Sequence, residues 1–129
     1  MLPIQQFDKV FSDYIRLKDA DWKGWNHCYT CGKPSYWKYL QAGHFINRKD
    51  LATRFDERNC KPCCYNCNCI LEGSLEVYKQ KLIEEYGEII IHDLENLSKS
   101  TYKWSRSEML EKIAFYKTQI NKLLNHEST

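Results

Sequence analysis

An α+β fold is what this sequence predicts, and three observations predict it. Hydrophobic stripes of helical period run through both ends of the chain, while residues 36–54 alternate aromatic and polar side chains without such a stripe. Around that stretch stand Cys-x-x-Cys pairs some thirty residues apart, a spacing that suits one structural zinc ion better than disulfides. The 129 residues fit a single domain with a modest core. At 43% hydrophobic and 28% charged, the chain is expected to be neither disordered nor membrane-embedded, and no apolar run approaches the ~18–20 residues of a membrane span. Residues Met1 to Asp8 lack the basic and apolar regions of a signal peptide, so the seven cysteines are expected to be metal ligands in a reducing compartment.

Each element follows from a local signal. Ile4, Phe7, Phe11, Tyr14 and Ile15 recur at helical spacing after Pro3, a favoured first-turn residue, and predict an amphipathic helix over roughly residues 4–19. The alternating stretch 36–54 reads as a β-hairpin. Leu75, Tyr78, Leu82 and Tyr86 form a second stripe that Ser74 opens and Gly87 ends. Ile89, Ile90, Ile91, Leu94 and Leu97 predict a short helix over 88–98, with a strand at the isoleucine triplet as the alternative. Ser105-Arg106-Ser107-Glu108 has the form of a capping box, and Met109, Ile113, Tyr116, Ile120 and Leu123 follow it at steps of four and three. That stripe is expected in the core or in the seam of a homodimer. The single domain, residues 1–129, thus divides into an N-terminal helix (1–24), a zinc-bearing core (25–73) and a helical C-terminal part (74–129).

Cys28-Tyr29-Thr30-Cys31 precedes Gly32-Lys33, the tight turn of a zinc knuckle. Downstream, Cys60-Lys61-Pro62-Cys63 and Cys64-Tyr65-Asn66-Cys67 overlap as candidates for the second pair. Two residues between thiolates let both sulfurs reach one tetrahedral ion at ~2.3 Å. The expected ligands are Cys28, Cys31, Cys64 and Cys67, with Cys60 and Cys63 open as substitutes. No βαβ pattern surrounds either pair, which disfavours a redox dithiol. The net charge of +2 conceals an uneven distribution: residues 33–61 carry +4, residues 62–97 carry −5, and the tail from Ser98 carries +3. The cationic excess comes from Lys33, Lys38, Arg48, Lys49, Arg54, Arg58 and Lys61. Trp22, Trp25, Tyr36, Trp37 and Tyr39 cluster around the first knuckle, where they either pack its core or stack on unpaired bases.

Between the cysteine pairs lies Gln41-Ala42-Gly43-His44-Phe45-Ile46-Asn47-Arg48; Asn59 precedes the second pair and Asn68 follows Cys67 directly. This set resembles the HNH, or ββα-metal, endonucleases, with His44, Asn59 and Asn68 as the H, N and final N. The layout, with asparagine directly after the last cysteine, is similar to that of phage Holliday-junction resolvases of the endonuclease VII type. Nearly the whole chain resembles the lambda NinG (Rap) recombination endonuclease family. The resemblance is carried by Phe7-Asp8-Lys9-Val10-Phe11-Ser12, by Tyr14 to Asp21, by Ala42 to Ile46, by Ala52 to Asn59, and by the Cys-x-x-Cys-Asn ending at Asn68. The chain departs from that family's pattern at Lys61 and Cys63, where histidine and glutamine are common, and at Gln41, where a carboxylate is common.

The resemblance implies a zinc-stabilised ββα-metal core flanked by helices, and a phage endonuclease acting on branched DNA such as D-loops and Holliday junctions. It would leave a 5′ phosphate and a 3′ hydroxyl, inside an infected bacterial host. A histidine of ordinary pKa ~6.5 is neutral enough at physiological pH to act as general base, which is the role expected of His44. A catalytic Mg²⁺ or Mn²⁺, distinct from the zinc, would take the Asn68 amide oxygen and a further oxygen from Gln41, Asp50, Glu72 or the His44 main chain. Asn59 would pin the hairpin and orient His44. Arg48, Lys49, Arg54, Arg58 and Lys61 would bind DNA phosphates, with Arg48 and Arg54 nearest the cut. Symmetrical cutting of a junction needs two sites, hence the homodimer; no membrane partner is expected. His27, His92 and His126 carry no assigned role. The alternative is a zinc-stabilised DNA-binding module without cleavage activity.

Overall fold

Local signals start and stop the helices where the side chains say they should. The computed structural model describes residues 1–125; His126 lies outside the described residues. Pro3 opens helix α1 (Pro3–Leu17), and Gln5 Oε1 accepts the Leu2 N–H at 2.9 Å. Helix α1 buries Phe7, Val10, Phe11, Ile15 and Leu17 along one face. A hairpin of β1 (Trp25–His27) and β2 (Pro34–Tyr36) follows, then a 3₁₀ turn over Trp37–Tyr39. Strand β3 (Gln41–His44) and helix α2 (Leu51–Arg54) lead to β4 (Cys60–Cys63), which runs antiparallel to β3 with Gln41 opposite Cys63 and His44 opposite Cys60. After a π-type turn at Asn66–Ile70 come α3 (Leu75–Tyr86), α4 (Ile89–Ser98) and α5 (Arg106–Leu124). Gly87 stops α3 at φ +94°, and Ser105 Oγ caps α5 by accepting Glu108 N–H at 3.0 Å while Glu108 Oε1 accepts Ser105 N–H at 3.1 Å. No helix among the described residues is long and apolar enough to cross a membrane.

The β3–β4 ribbon separates two apolar clusters, and its alternation assigns each side chain to one of them. On one side, Ala42 and Cys60 meet Phe7, Val10, Phe11 and Ile15 of α1 together with Phe55, Ile113 and Tyr116. Phe7 stacks on Phe55 with ring centroids 3.6 Å apart and planes 4° from parallel, and Trp104 meets both rings edge-on. On the other side, Cys63 joins Cys28, Cys67, Tyr78, Leu82, Ile90, Ile91 and Leu94. Tyr78 spans from α3 to the ribbon, its hydroxyl donating to the Gly43 carbonyl at 2.6 Å.

Two sequence expectations change. Residues 36–54 do not form a hairpin of their own: β2 pairs back to β1, β3 pairs forward to β4, and α2 lies between. The partner of β3 is Cys60-Lys61-Pro62-Cys63, all four residues buried, so this segment is a strand and not a second knuckle. The isoleucine triplet is helical, within α4, as the helix expected over 88–98 requires. Ile113 and Tyr116, flanked by Met109 and Ile120, pack on α1, so of the two places expected for this stripe, core and dimer seam, it takes the core.

Because Phe7 is fully buried at the centre of the aromatic stack, Phe7→Ala is expected to cost about 3–5 kcal/mol of stability. Urea unfolding monitored by far-ultraviolet circular dichroism measures it; a loss below about 1 kcal/mol would show that α1 is not anchored through this ring.

Candidate functional site

Glycine at the knuckle turn lets two sulfurs converge. Gly32 adopts φ +78° and donates its N–H to the Cys28 carbonyl at 2.9 Å, turning the chain between Cys28 and Lys33. The sulfurs of Cys28, Cys31, Cys64 and Cys67 lie within 4.8 Å of one another. Cys31 Sγ and Cys64 Sγ are 3.8 Å apart, which matches the ~3.8 Å edge of a tetrahedron with ~2.3 Å zinc–sulfur bonds. The Cys67 N–H also points at Cys64 Sγ, at 3.4 Å, as is usual where a knuckle holds a thiolate. The donor set therefore fits a structural zinc ion. Cys60 and Cys63 belong to β4: Cys60 is turned into the α1 cluster, where burial pushes its thiol pKa up, and Cys63 packs beside Cys28. A hydrogen bond from Cys63, opposed by burial, holds the Cys28 thiol pKa below its ordinary value.

The ribbon brings a second set of groups to a groove of about 280 Å³ lined by Asp8, Ser12, Arg16, Gln41, Ala42, His44 and Arg48, among others. His44 ends β3, and its Nε2 lies 2.9 Å from the Arg54 carbonyl. A carbonyl can only accept, so Nε2 carries the proton and Nδ1 keeps the lone pair. Nδ1 lies 3.9 Å from Cys60 Sγ. Burial lowers the His44 pKa below its ordinary 6.5, against the pull of the Arg54 carbonyl. Gln41, at the other end of β3, accepts the Asn68 amide N–H on Oε1 at 2.7 Å and the Cys69 thiol at 3.3 Å. Glycine is required between them. A Cβ on Gly43 would lie 2.7 Å from Cys63 Sγ and 3.1 Å from Asn68 Oδ1, so any side chain there would push Asn68 off the strand.

Asn59 is fully buried and bridges the loop that returns from β3 to β4. Its Oδ1 accepts the Ile46 N–H at 2.8 Å, and its Nδ2 donates to the carbonyls of Ile46 at 3.1 Å and Thr53 at 3.2 Å. Thr53 precedes Arg54, so these bonds bear on the carbonyl that holds His44. The cations divide sharply. Arg48 has a side chain 60% exposed and lies on the groove, and Lys49 is exposed beside it. Arg54 has only 14% of its side chain exposed, and Asp8 takes its guanidinium with both carboxylate oxygens while also accepting from Arg48 at 3.0 Å. Arg58 is chelated by Asp56. Lys61 corrects the expectation made for it: its side chain is buried, with its ammonium on the Tyr86 hydroxyl and on Glu85. Asp50 precedes α2, and Glu72 sits exposed on the turn before α3 at φ +52°; neither is drawn to Gln41 or Asn68 by a hydrogen bond. Asp8 is the carboxylate that the groove does contain, and sequence reasoning missed it because α1 lies far away along the chain.

Comparisons with known proteins agree on one relationship. The family model for the bacteriophage lambda NinG protein matches residues 3–127. The chain is 29% identical over 126 residues to protein ninG of Escherichia phage 933W, 30% to that of Salmonella phage P22 and 28% to that of Escherichia phage lambda. Each match covers 97% of this chain and 59–60% of the relative, so the chain spans about three fifths of the length of these curated relatives. No solved structure matches it significantly.

Two results are expected. The purified protein should hold one zinc per chain; Cys28→Ser should lose the metal and the fold, whereas Cys69→Ser should keep both, as read by metal analysis and circular dichroism. Retained zinc in Cys28→Ser would remove that sulfur from the set. Asn59→Ala leaves three backbone groups without their partner, at ~1–3 kcal/mol for each buried group, so a loss of about 3 kcal/mol or more is expected in denaturant unfolding.

Proposed function

The chain belongs to the bacteriophage lambda NinG family, and from that premise we propose that it is a metal-dependent DNA endonuclease of HNH type acting on branched DNA. The observation that carries the reading is the fixed tautomer of His44, a residue that lines the polar groove: with Nε2–H held by the Arg54 carbonyl, the lone pair is left on Nδ1, whose neighbour in the fold is the Cys60 thiol at 3.9 Å. Nδ1 takes a proton from water as the water oxygen bonds to phosphorus, the bond from phosphorus to the 3′ oxygen breaks, and the 3′ oxygen takes a proton from solvent. The products are a 5′ phosphate and a 3′ hydroxyl. Arg48 and Lys49, with Arg16 deeper in the groove, attract the phosphates without reading sequence.

Gln41 and Asn68 would hold the Mg²⁺ or Mn²⁺ ion, since their amides already meet. That ion, when bound, supplies charge relief at the leaving oxygen. Two neutral oxygens bind a hard cation weakly, so most of its affinity would come with the DNA phosphate. Asn59 positions the His44 loop, and the four sulfurs hold Asn68, next in sequence to Cys67, against β3. A homodimer would place two such sites on a junction, through a surface other than the buried α5 stripe. The intended setting is the cytoplasm of an infected host. The alternative reading, a DNA-binding module without cleavage, is favoured by Gln41 in place of a carboxylate.

The test uses zinc-loaded protein on a four-way junction and on linear duplex, with Mg²⁺ or Mn²⁺ added or omitted; chelators are avoided because they would strip the zinc. Wild type should cut the junction only with the added ion, and His44→Ala should bind it equally well but cut at least about a hundredfold more slowly, the low end of general-base contributions. Binding without cutting under every ion would favour the binding module. Because burial depresses the His44 pKa, its base form persists below pH 6.5, and the acidic limb of the rate profile should fall below that value. The same depression means the unfolded chain takes up the proton first, so His44 makes the fold lose stability as pH falls below 6.5.

A further inference from the structure

The first hairpin carries an aromatic face that the proposed chemistry does not use. In β1, Asn26 is buried while Trp25 and His27 point outward; Trp25 pairs with Tyr36 and His27 with Pro34, so these four share the outer face. Tyr39, in the following 3₁₀ turn, is 79% exposed, and its ring centroid lies 6.0 Å from that of Tyr36. Trp25 is 48% exposed and Trp22, in the turn before β1, 65%. The rings rest on a fixed base. Gly24, at φ +86°, leaves room for Tyr36, where a Cβ would come within 2.6 Å of its Cε1; Trp37 is buried beneath, with the Arg16 guanidinium 5.3 Å from its ring centroid.

Charge decides what such a face would hold. Lys23, Lys33 and Lys38 are all exposed on the hairpin and the segments that flank it, and among the described residues none of them forms a salt bridge; Lys23 Nζ stands 5.0 Å over Trp22 and Lys38 Nζ 5.7 Å over Trp37. The nearby carboxylate of Asp21 is engaged by the backbone N–H groups of Lys23 and Trp25. Rings interleaved with unpaired ammonium groups match a chain that alternates flat bases and phosphates. A duplex hides its base faces, so the match is to unpaired nucleotides. One side chain ties this face to the His44 groove. Arg16, which lines that groove, donates from Nη1 to the carbonyls of Trp37, Lys38 and Leu40, the segment joining the aromatic face to Gln41.

We propose that the outer face of this hairpin, with Trp25, Tyr36 and Tyr39 as stacking rings and Lys23, Lys33 and Lys38 as phosphate partners, binds an unpaired DNA strand leading into the His44 groove. The direction of that strand rests on the nuclease reading; the stacking does not.

The test measures binding by fluorescence anisotropy with zinc-loaded full-length protein and no added Mg²⁺ or Mn²⁺. The probes are oligo(dT), a duplex of equal length, and an abasic oligonucleotide with the same phosphates. Wild type should bind oligo(dT) at least tenfold more tightly than the abasic strand. Tyr39→Ala and Trp25→Ala should each lose roughly tenfold on oligo(dT), the scale of one base–aromatic stack, with little change on the abasic strand or on duplex. Tyr39→Phe should restore binding, and unchanged zinc content would show that the fold is kept. Equal wild-type affinity for oligo(dT) and the abasic strand, or alanine variants that bind oligo(dT) like wild type, would overturn the proposal. Ring-dependent binding without junction cutting would uphold this surface and sink the cleavage reading; cutting with ring-independent binding would do the reverse.

Discussion

Four sulfurs within 4.8 Å of one another are the constraint on which the rest of the molecule depends. The two sheets have only two strands each, and an isolated two-stranded sheet is marginal in water. Bringing Cys28 and Cys31 to Cys64 and Cys67 ties the first hairpin to the turn after β4, and so closes the ribbon between them. Structural zinc in small domains contributes an apparent ~10–16 kcal/mol to folding, which exceeds the whole net stability of many domains. Without such a tie, Asn68, on the turn after β4, would not be held against Gln41 at the start of β3.

The ribbon then uses its pleat to divide labour. Ala42 and Cys60 enter the α1 cluster, Gly43 and Cys63 face the sulfur cluster, and His44 ends the strand beside the groove. A one-residue slip of β3 would exchange these assignments, which is why both faces being packed matters to the chemistry. Asp8 links the other layer to the same place, holding Arg54 and Arg48 from α1. It also lowers the net positive charge of the groove, leaving Arg48 as its exposed cation, next in sequence to the exposed Lys49. The acidic excess of residues 62–97 has a local counterpart in Glu85, which partners the buried Lys61 from α3.

The helices and the cysteine set were legible because their signals are local. Pro3, Gly87 and the Ser105–Glu108 box mark ends by backbone chemistry within one turn, and paired Cys-x-x-Cys spacing encodes a shared ion directly. The fate of Cys60-Lys61-Pro62-Cys63 was not legible, since the same four residues suit a knuckle until Gln41–His44 arrives as a partner. Lys61 reads as a surface cation until Tyr86 and Glu85, far along the chain, close over it. Asp8 stayed hidden for the same reason: its role is set by two arginines brought to it by tertiary packing. Sequence named His44, Asn59 and Asn68 through resemblance; the hydrogen bonds of Asn59 and the Arg54 carbonyl supply the physical content that a motif lacks.

The proposed hydrolysis runs by attack of water at phosphorus with departure of the 3′ oxygen. The chemistry of the product ends tests it most directly. A labelled four-way junction incubated with zinc-loaded protein and Mg²⁺ should yield nicks bearing a 5′ phosphate and a 3′ hydroxyl, which DNA ligase reseals. Nicks that ligase cannot reseal because the phosphate is on the 3′ side, or a junction that stays intact at saturating protein, would contradict it.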